Sequence, residues 1–297
     1  MKPYIILSVG VLSVSFAATF IRLAEAPPLV IATYRLSIAS IILIPIASIR
    51  SAPHLKSLTR LPRRGILLIL LASVSLALHF GLWITSLNYT SIASSVVLVT
   101  SHPAFVAVTS YFLWSERLNK LTISGIVVAI IGVILINYGG LTFGSGAILG
   151  DVLALIAGFA MGAYLIIGGQ IRTRIEILTY LTILNTCAAV ILLVATMLSG
   201  HRLIGYSTTT YLMLILLALI PQLIGHSCFN MAVRLVPVTL VSVAILGEPV
   251  GATLLGATIL GEMPTANEIT GGLLILAGIF LVLRRSQPRA DRAVSTR

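Results

Sequence analysis

Ten apolar runs dominate the sequence, each close to the length of about 20 residues that a helix needs to cross a hydrocarbon core about 30 Å thick. They cover roughly 4–22, 29–49, 65–87, 91–113, 121–138, 148–169, 175–199, 208–231, 237–260 and 266–283. A water-soluble domain cannot hide this much apolar surface. The chain of 297 residues is 58% hydrophobic and only 9% charged, with a mean hydropathy of +1.10. In lipid the backbone must satisfy its own hydrogen bonds, so runs of this kind predict helices. The expected fold is an all-α polytopic membrane protein with ten transmembrane helices. The links "NYTS" (88–91) and "RLVP" (234–237) are short enough to predict tight turns between antiparallel neighbours.

The charges give a direction. Lys and Arg gather in cytoplasmic segments. With the N-terminus inside, the inner segments hold 16 of the 19 basic residues: Lys2, five from Arg50 to Arg64, Arg117, Lys120, Arg172, Arg174, Arg234 and the five arginines after Leu283. Arg22 and Arg202 fall outside, and Arg35 lies within a span. Both termini are therefore expected in the cytoplasm, in a cell (inner) membrane, with 284–297 as a basic cytoplasmic tail. The net charge of +11 reports orientation rather than nucleic acid, since no aromatic-interleaved basic patch accompanies it. Cys187 and Cys228 sit in apolar runs without CxxC or Cys/His spacing, so neither a disulfide nor a metal is expected. Lys2 and Ala24-Glu25-Ala26 imitate a signal peptide, but Pro27 would follow the cut and the run is nearly a full span, so it reads as the first helix.

The chain also lies on itself at an offset of 146 residues. Pro103 meets Pro249, Glu116 meets Glu262, Gly125 meets Gly271, Gly132 meets Gly278, and Thr33-Tyr34 meets Thr179-Tyr180. Five spans per copy is an odd number, so the second copy must enter the membrane from the opposite side. The loop with Arg117 and Lys120 is basic, and its copy with Met263 and Ala266 is not. Residues 4–138 and 148–283 are thus expected as an inverted 5+5 repeat, an arrangement that lets two halves rock about a midplane site.

These features resemble the drug/metabolite transporter superfamily, specifically its ten-helix permeases with two EamA-type domains. The resemblance rests on "SLNYTSIASSVVLVTSHPAFVAVTSYFLWSERL" (86–118) with Gly125 and Gly132, and on "LVPVTLVSVAILGEPVGATLLGATILGE" (235–262) with Gly271 and Gly278. Pro27, Pro28 and Arg35 fit the family's second helix. Ser115 stands before Glu116 where the family has Gly. The resemblance implies transport of small metabolites, often export of amino acids or related compounds.

Ionisable groups at membrane depth usually face a cavity or a partner. Glu248, before Pro249, lies near the middle of the ninth span, and its repeat equivalent His102, before Pro103, near the middle of the fourth. Each proline removes a backbone donor and bends its helix, freeing the carbonyls of Val99 and Ile245. Such a site fits a wet central cavity. A buried Glu248–His102 pair with no transport role is the alternative. His79 and His226 differ by 147 and are expected in roughly equivalent sites, unless each only bonds a neighbouring backbone group. Gln222, after Pro221, and Asn230 stand one turn either side of His226. Trp83, Tyr164 and Phe16 are candidate cavity aromatics, with helix packing as the other reading. Arg35 is a candidate contact for a substrate carboxylate, or else snorkels outward or pairs with Glu25. Glu116 and Glu262 read as helix termini or hinges, and Asp151 as a cap or charge at the start of the sixth helix. The glycines, seven apart, read as packing faces. Pro103, Pro249 and Pro221 are the expected kinks.

No GxxxxGK[ST], HExxH or paired acidic motif appears, and no Gly-x-Ser context points to an intramembrane protease, so no enzyme and no cofactor is expected. A carrier of phosphorylated sugars would call for paired cavity cations, and only Arg35 is intramembrane. The sequence therefore reads as an alternating-access transporter of small organic metabolites. A facilitative exchanger, a channel-like permease and a non-transporting scaffold or receptor stay open. So do proton coupling and the choice of monomer or homodimer.

Overall fold

A computed structural model describes residues 2–51, 61–90, 92–114, 119–138, 147–171, 175–260 and 263–284, and every apolar run in it is helical. Nine helical stretches are long and apolar enough to cross a membrane among the described residues, and Lys120–Ile136 is a shorter apolar helix between the fourth and sixth spans. The first three spans are Lys2–Leu23, Pro28–Arg50 and Arg63–Ser86. The sixth and seventh are Ile148–Ile171 and Ile177–Leu198, the eighth is Thr208–Ala232, and the tenth is Ala266–Leu283. No strand occurs among the described residues. The expected roles of Glu116 and Glu262, and the tail from residue 285, lie outside the described residues. Large side chains such as Ile41, Phe112, Leu198 and Leu273 stand exposed around the bundle, as lipid-facing residues do.

Hydroxyls within the spans do not disturb the helices. Ser13, Ser40, Ser73 and Thr253 each donate to the carbonyl four residues back, so their polar atoms are satisfied on their own helix. The links behave as their brevity requires. Thr90 N bonds Ser86 O and Val236 N bonds Ala232 O, closing tight turns. Asp151, in the first turn of the sixth span, accepts from Thr90 Oγ1 at 2.7 Å and ties that turn down.

Two spans are not merely bent. The fourth is Ile92–Val99 followed by His102–Trp114, and the ninth is Val238–Ile245 followed by Glu248–Leu255 and a π-helical turn, Gly256–Leu260. The interruptions at Thr100-Ser101 and Leu246-Gly247 are repeat equivalents. Around each, backbone N–H groups reach back three residues instead of four: Ser101 to Leu98, Leu246 to Val243 and Gly247 to Ala244. The prolines cannot donate, so the helix restarts rather than continues. The eighth span is also irregular. It widens to a π-helix over Ala218–His226, around Pro221, which is how a helix accommodates a residue without an N–H.

The packing obeys the repeat. The first span packs on the eighth and ninth, and the sixth on the third and fourth. The second packs on the seventh and the fifth on the tenth. Exchange of the two halves maps this pattern onto itself. The paired equivalents run in opposite directions. A Cβ on Gly125 would lie 2.7 Å from the Gly278 carbonyl, and one on Gly132 would lie 2.6 Å from that of Gly271. As one helix ascends the other descends. The second and seventh spans agree, with Thr33 Oγ1 2.8 Å from Thr196 Oγ1 and Ser51 Oγ 3.1 Å from Glu176 Oε2.

Candidate functional site

The two interruptions meet at a chamber of about 80 Å³, room for roughly two or three waters. Its wall takes Val96, Val99, Thr100 and His102 from the fourth span and Ile245, Glu248, Pro249 and Ala252 from the ninth. His79, Phe80 and Trp83 come from the third, His226 and Phe229 from the eighth, and Arg35 from the second. Much of the wall consists of repeat-equivalent pairs. His102 and Glu248 are one, Val99 and Ile245 another, Phe80 and His226 a third, Trp83 and Phe229 a fourth. The sequence paired His79 with His226, but at the fixed offset Phe80 is the true counterpart, and the Phe80 and His226 rings touch, with centroids 5.2 Å apart.

Among the ionisable wall groups, the two carrying opposite formal charges are Glu248 and Arg35. Glu248 is the first residue of its half-helix, where the exposed N–H groups favour a carboxylate. Its backbone carbonyl receives a long 3.4 Å contact from Ser15 Oγ, and Gly251 keeps the first and ninth spans close enough for this. Arg35 is 1% exposed. It neither snorkels outward nor pairs with Glu25. Its Nε donates to Gln222 Oε1 at 2.8 Å, and its guanidinium carbon stands 4.0 Å above the Phe80 ring. Withdrawing a cation from water costs several kcal/mol. A desolvated ring contact returns about 2 kcal/mol and a hydrogen bond to the charged group about 1.5–3 kcal/mol. Nη1 stays buried with no acceptor among the described residues. Arg35 and Glu248 attract each other electrostatically and are not hydrogen-bonded to each other.

Two of the wall histidines are held by backbone carbonyls. His102 Nδ1 lies 3.3 Å from Val99 O, the carbonyl that Pro103 leaves without a donor. His79 Nδ1 lies 3.1 Å from Ala157 O on the sixth span, and its ring stacks on Trp83. A carbonyl only accepts, so Nδ1 carries the proton in both rings. His102 and Glu248 share the chamber wall, with no hydrogen bond between them among the described residues.

Four of the residues singled out from the sequence stand behind the wall. Gln222 is 2% exposed and serves Arg35. Asn230 donates to Tyr164 Oη at 2.5 Å and to His226 O at 2.7 Å, so Asn230 and Tyr164 form one buried unit. Phe16 stacks on Phe20. The eighth span explains the first of these placements: its π-helical turn separates Gln222 from the face that His226 presents to the chamber. Sequence reasoning passed over Asn185. It is 3% exposed in the middle of the seventh span and accepts from Gln222 Nε2 at 2.9 Å. Its polarity at mid-membrane was the available signal.

A larger groove, about 360 Å³, lies between the first, ninth and tenth spans. Leu12, Val250, Leu254 and Leu276 line it, and no ionisable side chain other than the Tyr4 phenol does. The charged groups converge on the smaller chamber.

The profile of the EamA-like transporter family matches residues 1–138 and again 148–284. The chain is 27% identical over 263 residues to the uncharacterized inner membrane transporter YedA of Escherichia coli K12, covering 86% of this chain and 82% of that one. An uncharacterized transporter of Clostridium kluyveri is 26% identical over 206 residues, and the match spans 66% of this chain and 65% of that protein. A Salmonella typhimurium protein described as a "Probable amino-acid metabolite efflux pump" is 27% identical over 185 residues, covering 57% of this chain and 60% of that one. A solved crystal structure superposes with a TM-score of 0.83 over 99% of both chains at 18% identity, which speaks to the fold.

Proposed function

Since the chain belongs to the EamA-like transporter family, and is therefore a multi-pass membrane transporter, we propose that it carries a small organic metabolite by alternating access around the chamber. Amino acids or related compounds are the proposed cargo, and export the proposed direction. The relative described as an amino-acid metabolite efflux pump supports the cargo. We further assign residues 4–138 and 148–283 as the two moving halves, with both termini cytoplasmic in a cell (inner) membrane.

One observation carries this reading. Two half-helices that start at repeat-equivalent residues, His102 and Glu248, meet at a chamber that also holds Arg35. Discontinuous helices at a repeat interface are where rocking carriers bind their cargo. The wall is mostly apolar with a few convergent polar groups, as in small-molecule sites. One cation and one carboxylate among aromatic rings suit a small zwitterion with an apolar body.

A thermal-shift screen of the purified protein against a metabolite library identifies ligands, and proteoliposomes then test flux of the hits. Saturable flux accelerated by solute on the opposite side is the expected result. Conductance without saturation would make it a channel. Binding without flux would make it a receptor or scaffold.

A further inference from the structure

Arg35 is fixed by neutral groups. Gln222 Oε1 takes its Nε, Gln222 Nε2 donates to Asn185 Oδ1, and Asn185 Nδ2 donates to the Leu181 carbonyl at 2.7 Å. Each link dictates the next. The Leu181 carbonyl can only accept, so it claims the Asn185 amide nitrogen and turns the Asn185 oxygen toward Gln222. The Gln222 nitrogen is then committed, and its oxygen must face Arg35. All three side chains are buried.

A purely structural arginine at this depth would be expected to have a carboxylate beside it. Two neutral amides hold the guanidinium in place, Glu248 attracts it without a hydrogen bond, and its Nη1 lacks an acceptor among the described residues. The repeat sharpens the contrast. The equivalents of Arg35, Gln222 and Asn185 are Leu181, Leu76 and Ala39. The helices are built twice and this chain of hydrogen bonds once, so the duplicated architecture does not require it. One guanidinium that shares a largely apolar chamber with one carboxylate suits the carboxylate end of a small solute and not a doubly charged phosphate, and a planar carboxylate matches the guanidinium fork.

We propose that Arg35 is the carboxylate-binding group of the chamber and that Gln222 and Asn185 are positioning residues that aim it. The assignment rests on the reading that the chamber receives the transported solute.

The test uses the full-length protein and three probes of similar size: L-valine, isovalerate and L-valinamide. The first two carry a carboxylate, and the third replaces it with an amide. Affinity is read from the fluorescence of Trp83 in the wall, in a Trp114→Phe background, with melting temperature as a check on folding. The wild type is expected to bind the better carboxylate at least tenfold more tightly than L-valinamide, roughly the worth of a charged hydrogen bond. Asn185→Leu is nearly isosteric, and Arg35→Lys keeps the charge without the fork. Both are expected to cut that ratio several-fold. A merely structural role would lower the melting temperature without moving the ratio. Equal binding of all three probes by the wild type, or none, would overturn the assignment whether or not the variants fold. An unchanged ratio in folded variants would overturn it too. Flux in proteoliposomes separates the two readings. Discrimination without flux defeats transport and keeps the carboxylate site, and flux without discrimination does the reverse.

Discussion

Glu248 and His102 hold the same place in the two halves, but only the carboxylate has no hydrogen bond from its side chain to its own helix. His102 is engaged with Val99 O and so has less freedom to follow the cargo. This makes Glu248 the better candidate for a proton carrier. Proton coupling through Glu248, as a proposal, predicts that in proteoliposomes a pH gradient accelerates wild-type flux and that Glu248→Gln retains counterflow and loses that acceleration. Unchanged gradient dependence would remove Glu248 from that role. A second carboxylate can be examined outside the membrane. Partial burial pushes the Glu176 carboxyl up, but the Leu178 and Thr179 amides, with the Thr179 and Ser51 hydroxyls, outweigh it and hold it below the usual carboxylate range. A carboxyl lowered on folding stabilises the protein above its ordinary range, and the benefit is lost as pH falls through the lowered value. Glu176→Gln is therefore expected to cost about 1 kcal/mol at neutral pH, the worth of a helix cap. The deficit should shrink as thermal melts are repeated at progressively lower pH. A deficit independent of pH would contradict this. At this scale Glu248, His102 and Arg35 were legible in the sequence because charge at mid-membrane is rare. The partner of Arg35 was not, because the contact from Arg35 to Gln222 joins spans 187 residues apart.

Among the helices, the fifth and tenth approach each other backbone to backbone at their glycines. Gly132→Ala would drive a methyl to 2.6 Å from the Gly271 carbonyl, where backbone must yield. A loss of about 1–3 kcal/mol is expected, the usual range for overpacking, read as a lower melting temperature in detergent. Gly272→Ala is the control. Its nearest neighbour would be Val250 at 3.8 Å, an ordinary contact, so it should melt like the wild type. Equal effects would mean that the helix crossing is looser than described. The spans themselves could be read from hydropathy because lipid imposes one requirement on every residue of a run. The interruptions were only half legible. Pro103 and Pro249 announced a bend, but the switch from four-residue to three-residue hydrogen bonding depends on how Ser101, Leu246 and Gly247 settle among neighbouring spans. The π-helical stretch around Pro221 left no periodic signal, and it displaced Gln222 from the expected face.

For the molecule as a whole, the constant offset of 146 residues carried more information than any single motif. It foretold equivalent helices of opposite sense, and the Gly125–Gly278 and Gly132–Gly271 contacts run in that antiparallel order. Symmetry of this kind gives two arrangements of nearly equal energy, one open to each side, which is what alternating access requires. On the proposed reading, departures from symmetry would mark what is specific to cargo: Glu248 against His102, and Arg35 against Leu181. Accessibility of single cysteines at Thr100 and Ala252, in a background lacking Cys187 and Cys228, tests this most directly. A membrane-impermeant thiol reagent is applied from one side at a time, with and without transported solute. The account predicts that both positions react from either side in turn and that solute shifts the balance between sides. Reaction from one side only, indifferent to solute, would contradict it.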